Sequence, residues 1–139
     1  MWVVSKEKIK IKDTTKLFAP GNLRATTENK GYKEVVDYWL SMGYTLRYTG
    51  AMVPDIYQLF IKGEGIFCNI ISPKNPAKLR YLYETAPFAF LMEAAGGRSS
   101  DGKQSLLEHV IDGYEIKGQI AVGSKTEVER IEASLKKYQ

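Results

Sequence analysis

Short apolar runs bounded by glycine, proline or polar residues predict the strands of this chain. The run Ile66 to Ile71 is almost continuously apolar, which is typical of a strand buried on both faces at the centre of a sheet. Three other strands are predicted at residues 45–48, 79–83 and 120–122, and residues 18–24 predict a strand that leads into a loop, since Pro20-Gly21 marks a turn. Trp2-Val3-Val4 and the alternating Ile9-Lys10-Ile11-Lys12 predict two further short strands joined by a charged turn.

Apolar residues at a spacing of three to four positions predict helices between these strands. The predicted helices lie at residues 32–42, after Gly50, from Thr85 to Gly96 and from Ser124 onward. Gly43 would end the first helix with a left-handed residue, and Pro54 is tolerated only in the first turn of the second. In the last helix, Ser124 and Glu127 fit a capping box, in which each side chain accepts a free backbone amide.

Strands that alternate with helices predict the fold class. We expect an α/β fold, a layered α-β-α domain with a mixed sheet of about five strands and three or four helices. The length of 139 residues suits one domain, spanning residues 1–139.

Charge changes this picture only by favouring anionic ligands. The formal net charge is +4 and the pI is about 9.1, which suits phosphorylated metabolites. The basic residues are dispersed, without a run of five like charges, so we expect no nucleic-acid partner. No apolar stretch approaches the roughly 18 residues that span a bilayer. We therefore expect no membrane association and a soluble intracellular location, in the cytoplasm or in a plastid or other organelle.

Cysteine and histidine are too few to carry the chemistry. Cys68 is the single cysteine, lies in an apolar run and is expected to be a buried, inert thiol. His109 is the single histidine, which makes a zinc site or a cysteine–histidine pair improbable. Any metal ligands must therefore be carboxylates, which favour magnesium or manganese.

Two segments combine cations with other polar groups. In residues 45–52, Arg47 and Tyr48 stand where a strand meets a helix opened by glycine. Free amides and the helix dipole can bind an anion at such a turn. An ordinary surface arginine beside a half-buried tyrosine explains the same residues equally well.

In the second segment, an extended backbone would place Lys78, Arg80 and Glu84 on one face. That line of two cations and a carboxylate could hold a phosphate next to a divalent cation. It could also be an exposed face with salt bridges, which is the commoner arrangement.

Three motifs in the same order resemble the second half of the fructose-1,6-bisphosphatase family. They are Arg47-Tyr48-Thr49-Gly50-Ala51-Met52-Val53-Pro54-Asp55, Lys78-Leu79-Arg80 with Tyr83-Glu84, and Glu93-Ala94-Ala95-Gly96-Gly97. Residues 18–26, 44–50 and 99–102 are more similar to the sedoheptulose-1,7-bisphosphatase branch. The resemblance covers the chain from about Lys8 to Tyr138.

The resemblance implies roles for particular positions. Glu84 matches a metal-binding glutamate, and Lys78 and Tyr48 match residues that hold the phosphate that is not cleaved. Arg47 matches an arginine that reaches across a dimer interface, and Met52 a residue whose backbone lies against the sugar. Asn22 and Arg24 fall, to within a residue, in a loop that contacts the same distal phosphate. Asn69 replaces a tyrosine of the fructose enzymes, a change that would leave room for a seven-carbon sugar.

The implied function is the substrate-binding half of a magnesium- or manganese-dependent sugar bisphosphatase. It would remove the 1-phosphate of sedoheptulose 1,7-bisphosphate or fructose 1,6-bisphosphate. In this family the acidic metal-binding motifs lie in the amino-terminal half, and none of them occurs here. We therefore expect the chain to be inactive alone, or to be a non-catalytic sugar-phosphate-binding or regulatory module. We also expect a homo-oligomer, because losing the other half would expose apolar surface.

Overall fold

The computed structural model describes all 139 residues and contains five strands and four helices. In chain order they are β1 (Leu17–Gly21), α1 (Lys30–Ser41), β2 (Thr45–Leu46), α2 (Met52–Lys62), β3 (Ile66–Asn69), α3 (Ala86–Ala94), β4 (Arg98–Ser100), β5 (Ile120–Gly123) and α4 (Lys125–Lys137). Single turns of tighter or wider helix lie at Leu23–Thr27, Tyr81–Thr85 and Leu106–Glu108. None of the helices has the length and apolar composition needed to cross a membrane.

The strands form one mixed sheet in the order β2-β1-β3-β5-β4. β2, β1 and β3 are mutually parallel, whereas β5 runs antiparallel to both of its neighbours. β3 is central, as its continuous apolar run predicts, and Asn69 at its end is in register with Gly21 of β1. The predicted mixed sheet of five strands is confirmed.

Helices cover both faces of the sheet, which confirms the predicted α-β-α layers. Alternate side chains of β3 belong to opposite layers: Ile66 and Cys68 pack towards α1 and α4, and Phe67 packs towards α2 and α3. This two-sided burial explains why residues 66–68 of the strand are all apolar and only Asn69, at its partly buried end, is polar.

The predicted helix limits agree with the structure for α1 and α2. Asn29 begins α1, since its Oδ1 accepts the backbone amide of Tyr32 at 2.9 Å. Gly43 follows the helix with a φ of 71°, in the left-handed region that favours glycine. Pro54 lies in the first turn of α2, where no intrahelical amide bond is lost.

The two strands predicted within residues 2–12 are wrong. The backbone of this segment pairs with helix ends and not with a strand: the Ile11 amide donates to Ala95 O at 2.9 Å and the Lys12 amide to Gly63 O at 2.8 Å. Ile11 alone is buried, so the alternation there reflects one anchoring side chain.

The strand predicted at residues 79–83 is also wrong. Only Arg80 makes a bridge, to Lys117, and Tyr81 then begins a wide turn that leads into α3. The Tyr81 side chain is buried and its hydroxyl donates to Leu106 O, while the Glu84 carboxylate accepts the Arg80 amide at 2.8 Å. These contacts hold residues 81–85 in a helical turn, although the alternating apolar and polar residues before it predict a strand.

The capping box predicted for α4 is wrong as well. The Ser124 hydroxyl accepts the Gly65 amide at 3.2 Å. The Glu127 carboxylate points away from the helix end and binds side chains of Trp39 and Tyr44. Both side chains therefore join α4 to the rest of the domain.

Candidate functional site

The predicted site residues follow the carboxyl ends of the parallel strands or lie on segments beside that edge of the sheet. Residues 22–24 follow β1, residues 47–52 follow β2, and Asn69 ends β3. β2 lies on one side of β1 and β3 on the other, so the strand order reverses between β1 and β3 although the two strands are parallel. Crevices at such reversals are the usual ligand sites of open α/β sheets. This edge is therefore the candidate site.

Tyr48 and Asn69 meet beside Gly21 at this reversal. A Cβ placed on Gly21 would lie 3.0 Å from Asn69 Nδ2 and 3.4 Å from the Tyr48 hydroxyl. No hydrogen bond within the protein uses either side chain; Tyr48 is exposed and Asn69 is partly buried. Partial burial, together with the nearby Asp55 and Cys68, raises the pKa of Tyr48, so its hydroxyl stays a proton donor. Both groups can donate to one ligand.

The turn after Tyr48 is held by a buried carboxylate. Asp55 of α2 accepts the Thr49 amide at 2.8 Å and the Gly50 amide at 3.2 Å. These two amides are therefore occupied, and the free-amide anion site considered for this turn is not formed by them. Asp55 instead fixes the backbone that carries Tyr48.

Asn22 and Arg24 occupy the turn after β1 in different ways. Asn22 has a left-handed backbone with φ 54°, and its Nδ2 donates to Ile70 O at 2.7 Å and Asn75 O at 3.2 Å. Its amide thus joins the loops after β1 and β3. Arg24 is exposed and pairs with no carboxylate, which leaves its guanidinium available.

The Arg47 side chain is directed away from the Tyr48–Asn69 pair. The exposed Arg47 guanidinium turns back along the outer strand, where Nη1 donates to Leu46 O at 3.1 Å. It borders a cavity of about 410 Å³ together with Lys16 and Lys62, near the amino ends of β1 and β3. Met52 is partly buried and packs into the core below α2.

Lys78 and Glu84 lie on a segment joined to the chain before β5. The Gly118 amide donates to Leu79 O at 3.1 Å and the Tyr81 amide to Ile116 O at 2.8 Å. Lys78 is exposed without a partner, whereas Glu84 is half-buried. Because Tyr81–Thr85 is a turn, the single extended face predicted for Lys78, Arg80 and Glu84 does not form.

Several basic side chains at this edge are available to bind an anion. Arg24, Lys78, Arg80 and Lys117 lie on its loops and pair with no carboxylate. Unpaired cations around a crevice raise the local concentration of anionic ligands such as phosphates.

Three residues that support this edge are assigned no role in the sequence analysis. Tyr32 of α1 is buried and its hydroxyl donates to Gly21 O at 2.5 Å. Gln119 links the loops after β3 and β4, since it accepts the Ile71 amide at 3.2 Å and donates to Asp101 O at 2.6 Å. Asp55, in the first turn of α2, carries the only sequence signal, an acid near a helix start.

Comparison with known proteins places the chain in one family. Residues 11–136 match the family model described as Fructose-1-6-bisphosphatase, C-terminal domain. The sedoheptulose-1,7-bisphosphatase, chloroplastic, of Triticum aestivum is 53% identical over 130 residues, covering 90% of this chain and 33% of the relative.

Two crystal structures share the fold closely. One is named as a sedoheptulose-1,7 bisphosphatase from Toxoplasma gondii, with a TM-score of 0.91, 43% identity and coverage of 93% of this chain and 42% of the other. The second is the Leishmania major fructose-1,6-bisphosphatase in its T-state, with a TM-score of 0.83, 31% identity and coverage of 93% and 41%. The chain thus spans about a third of the Triticum aestivum relative and about two-fifths of the crystallised chains.

Proposed function

Because the chain belongs to the fructose-1,6-bisphosphatase family and matches its C-terminal domain, we propose that it is the substrate-binding half of a magnesium-dependent sugar bisphosphatase. The substrate is sedoheptulose 1,7-bisphosphate, with fructose 1,6-bisphosphate as the second candidate, and the 1-phosphate is removed. The observation that carries the proposal concerns Tyr48 and Asn69. Their side chains have no hydrogen-bond partner in the protein and meet where the strand order reverses between β1 and β3.

These residues hold the end of the substrate that does not react. The Tyr48 hydroxyl and the Asn69 amide donate to oxygens of the sugar bisphosphate, and Lys78 and Arg24 neutralise the distal phosphate. Asn22 contributes by fixing the loop, since its own amide is used by Ile70 and Asn75. Binding energy gained at the distal end positions the reacting phosphate at the other.

The residues of this chain do not form a magnesium site by themselves. No group of three or more histidine, cysteine or acidic side chains lies close enough together to hold a metal ion. Glu84 can supply one carboxylate oxygen, because only its Oε1 is used by the Arg80 amide. Two-metal phosphoryl transfer requires several carboxylates, so the remaining ligands must come from another part of the enzyme.

A chimaera tests this function. The chain replaces the matching C-terminal third of the Triticum aestivum relative, and magnesium-dependent phosphate release is measured from both bisphosphates. We expect the chimaera to be active and the isolated chain to be inactive. In the chimaera, Glu84→Gln should lower kcat about 100-fold or more with little change in KM, because a metal ligand is lost and the substrate contacts remain.

Glu129→Gln is the matched control, since it removes the same charge from an exposed side chain of α4. Near-normal turnover in Glu84→Gln would disprove its role as a ligand. A chimaera that binds the bisphosphates without hydrolysing them would favour the non-catalytic binding module.

A further inference from the structure

Two Asp-Gly pairs occur in the chain, and their surroundings in the fold differ. They are Asp101-Gly102, directly after β4, and Asp112-Gly113, in the long loop before β5. In such a pair the backbone nitrogen of the glycine can attack the side-chain carboxyl carbon of the aspartate, because glycine has no Cβ to hinder the approach. The rate of this reaction depends on how freely the two groups can move.

In the first pair, hydrogen bonds hold both groups. Asp101 Oδ1 accepts the Lys103 amide at 2.8 Å, and Oδ2 lies 2.5 Å from His109 Nε2. The nitrogen that would attack is also occupied, since the buried Gly102 donates its amide to Ser100 Oγ at 2.9 Å. The reaction at this pair therefore requires the loop to open first.

In the second pair, both groups are free. The Asp112 carboxylate and the Gly113 amide take part in no hydrogen bond or ion pair within the protein, and both residues are exposed. Gly113 has a φ of 100°, and a Cβ placed on it would meet nothing within 4 Å. Residues 110–115 are all exposed and belong to no helix or strand, so local motion of the backbone is least restricted here.

We propose that Asp112 is a site of spontaneous isomerisation to isoaspartate. The Gly113 nitrogen bonds to the side-chain carboxyl carbon of Asp112, the C–OH bond of that carboxyl group breaks, and the amide proton leaves with the hydroxyl as water. Water then adds to the backbone carbonyl of the resulting five-membered succinimide and opens the ring, so that the main chain continues through the former side chain. The reaction needs no oxidant or cofactor and leaves the mass of the chain unchanged.

The loop can accommodate the extra backbone atom without loss of the fold. Its two ends are fixed, since His109 pairs with Asp101 at one end and the Ile116 carbonyl accepts the Tyr81 amide at 2.8 Å at the other. Between them, residues 110–115 contribute no buried side chain. We therefore expect the modified chain to remain folded and to accumulate as the protein ages.

Prolonged storage of the 139-residue chain at neutral pH, followed by proteolysis and electron-transfer mass spectrometry, tests this proposal. We expect isoaspartate to form at least about tenfold faster at Asp112 than at Asp101, because the reaction at Asp101 first requires several hydrogen bonds to open. In urea the two sites should react at similar rates, since unfolding removes the difference between them. Equal rates in the folded chain, or no isoaspartate at Asp112, would overturn the proposal.

Asp112→Glu is the matched control, because it keeps the charge of the exposed side chain but would have to close a six-membered ring, which forms much more slowly. The stored wild-type chain should accept methyl groups from a protein isoaspartyl methyltransferase, and the stored variant should lose most of this acceptance. Circular dichroism checks that both chains are folded. Undiminished methylation of the variant would assign the reaction to another residue and refute the role of Asp112.

Discussion

At the scale of single residues, burial decides which polar groups can react. Cys68 is fully buried in β3, as its apolar surroundings predict, and its thiol lies 3.6 Å from the Tyr32 hydroxyl. Burial raises the pKa of Cys68 to about 12, although the hydrogen bond with Tyr32 opposes the shift. The thiol is therefore neutral in the folded protein at any physiological pH.

Thiol labelling at pH 8.5 should accordingly report unfolding. The folded thiol is almost entirely protonated at this pH, whereas in the unfolded chain, with a pKa of about 8.5, about half is reactive thiolate. Because the folded pKa is the higher one, the stability linked to Cys68 is complete below about pH 8.5 and is lost as the pH rises towards 12. Rapid labelling by a disulfide reagent in native buffer, compared with a urea-unfolded control, would contradict this burial.

At the scale of elements, one carboxylate joins three parts of the fold. Glu127 of α4 is buried, and its carboxylate accepts two hydrogen bonds. One comes from the indole N–H of Trp39 in α1 at 2.7 Å, and the other from the hydroxyl of Tyr44, just before β2, at 2.6 Å. Arg130 pairs with the same carboxylate at 3.1 Å and lies 3.8 Å from the ring centroid of Tyr38. The network explains why a glutamate is tolerated on the buried side of a helix.

Glu127→Ala should lower the free energy of unfolding by about 3 kcal/mol, because it leaves the buried Trp39 N–H and the Tyr44 hydroxyl without an acceptor. Urea denaturation followed by tryptophan fluorescence measures the loss. Glu129→Ala, which breaks only the exposed pair with Arg98, should cost about 0.5 kcal/mol or less. Equal losses in the two variants would show that the network contributes nothing beyond a surface pair.

The sequence predicts the elements whose hydrophobic pattern matches their environment. β3 reads as a central strand because both of its faces are buried, and α1 ends at its glycine. The turn at Tyr81–Thr85 is misread as a strand because its shape comes from the distant Leu106 carbonyl. β4 is missed, since Arg98-Ser99-Ser100 has no apolar run and gains its place only by pairing with β5.

The candidate site is predictable in composition but not in geometry. Tyr48 and Asn69 are chosen from a family resemblance, whereas their closeness depends on the register that sets Gly21 opposite Asn69. Arg47 shares a motif with Tyr48, yet its side chain turns to the other end of the outer strand. Local sequence does not encode either outcome.

At the scale of the whole molecule, the two helical layers differ in their outer surfaces. The exposed side chains of α1 and α4 are mostly charged and form pairs such as Lys33–Asp37 and Lys137–Glu34. The outer surface of α2 and α3 is more apolar; its exposed large apolar side chains are Val53, Tyr57, Ile61, Phe90 and Leu91. Because only one of the two layers has an apolar outer surface, we expect that layer to associate with other protein.

We therefore expect the isolated chain to self-associate through this layer. Leu91→Glu should weaken the association about tenfold or more, because burying a leucine contributes about 1.5–3 kcal/mol. Leu40→Glu on α1 makes the same change at a site of similar exposure, 62% against 50%, and should have no effect. Sedimentation equilibrium measures both, and a wild-type chain that is monomeric at all concentrations would refute the expectation.

The position of β5 in the sheet has a consequence for how the protein is made. β5 is the last strand in the chain but lies between β3 and β4, so that Ile66 pairs with Gly123, a residue far from it in the sequence. On a translating ribosome, β4 has no partner and β3 has one open edge until β5 has emerged. The sheet therefore closes only after β5 is made, and until then the nascent chain exposes an apolar strand edge that chaperones can bind.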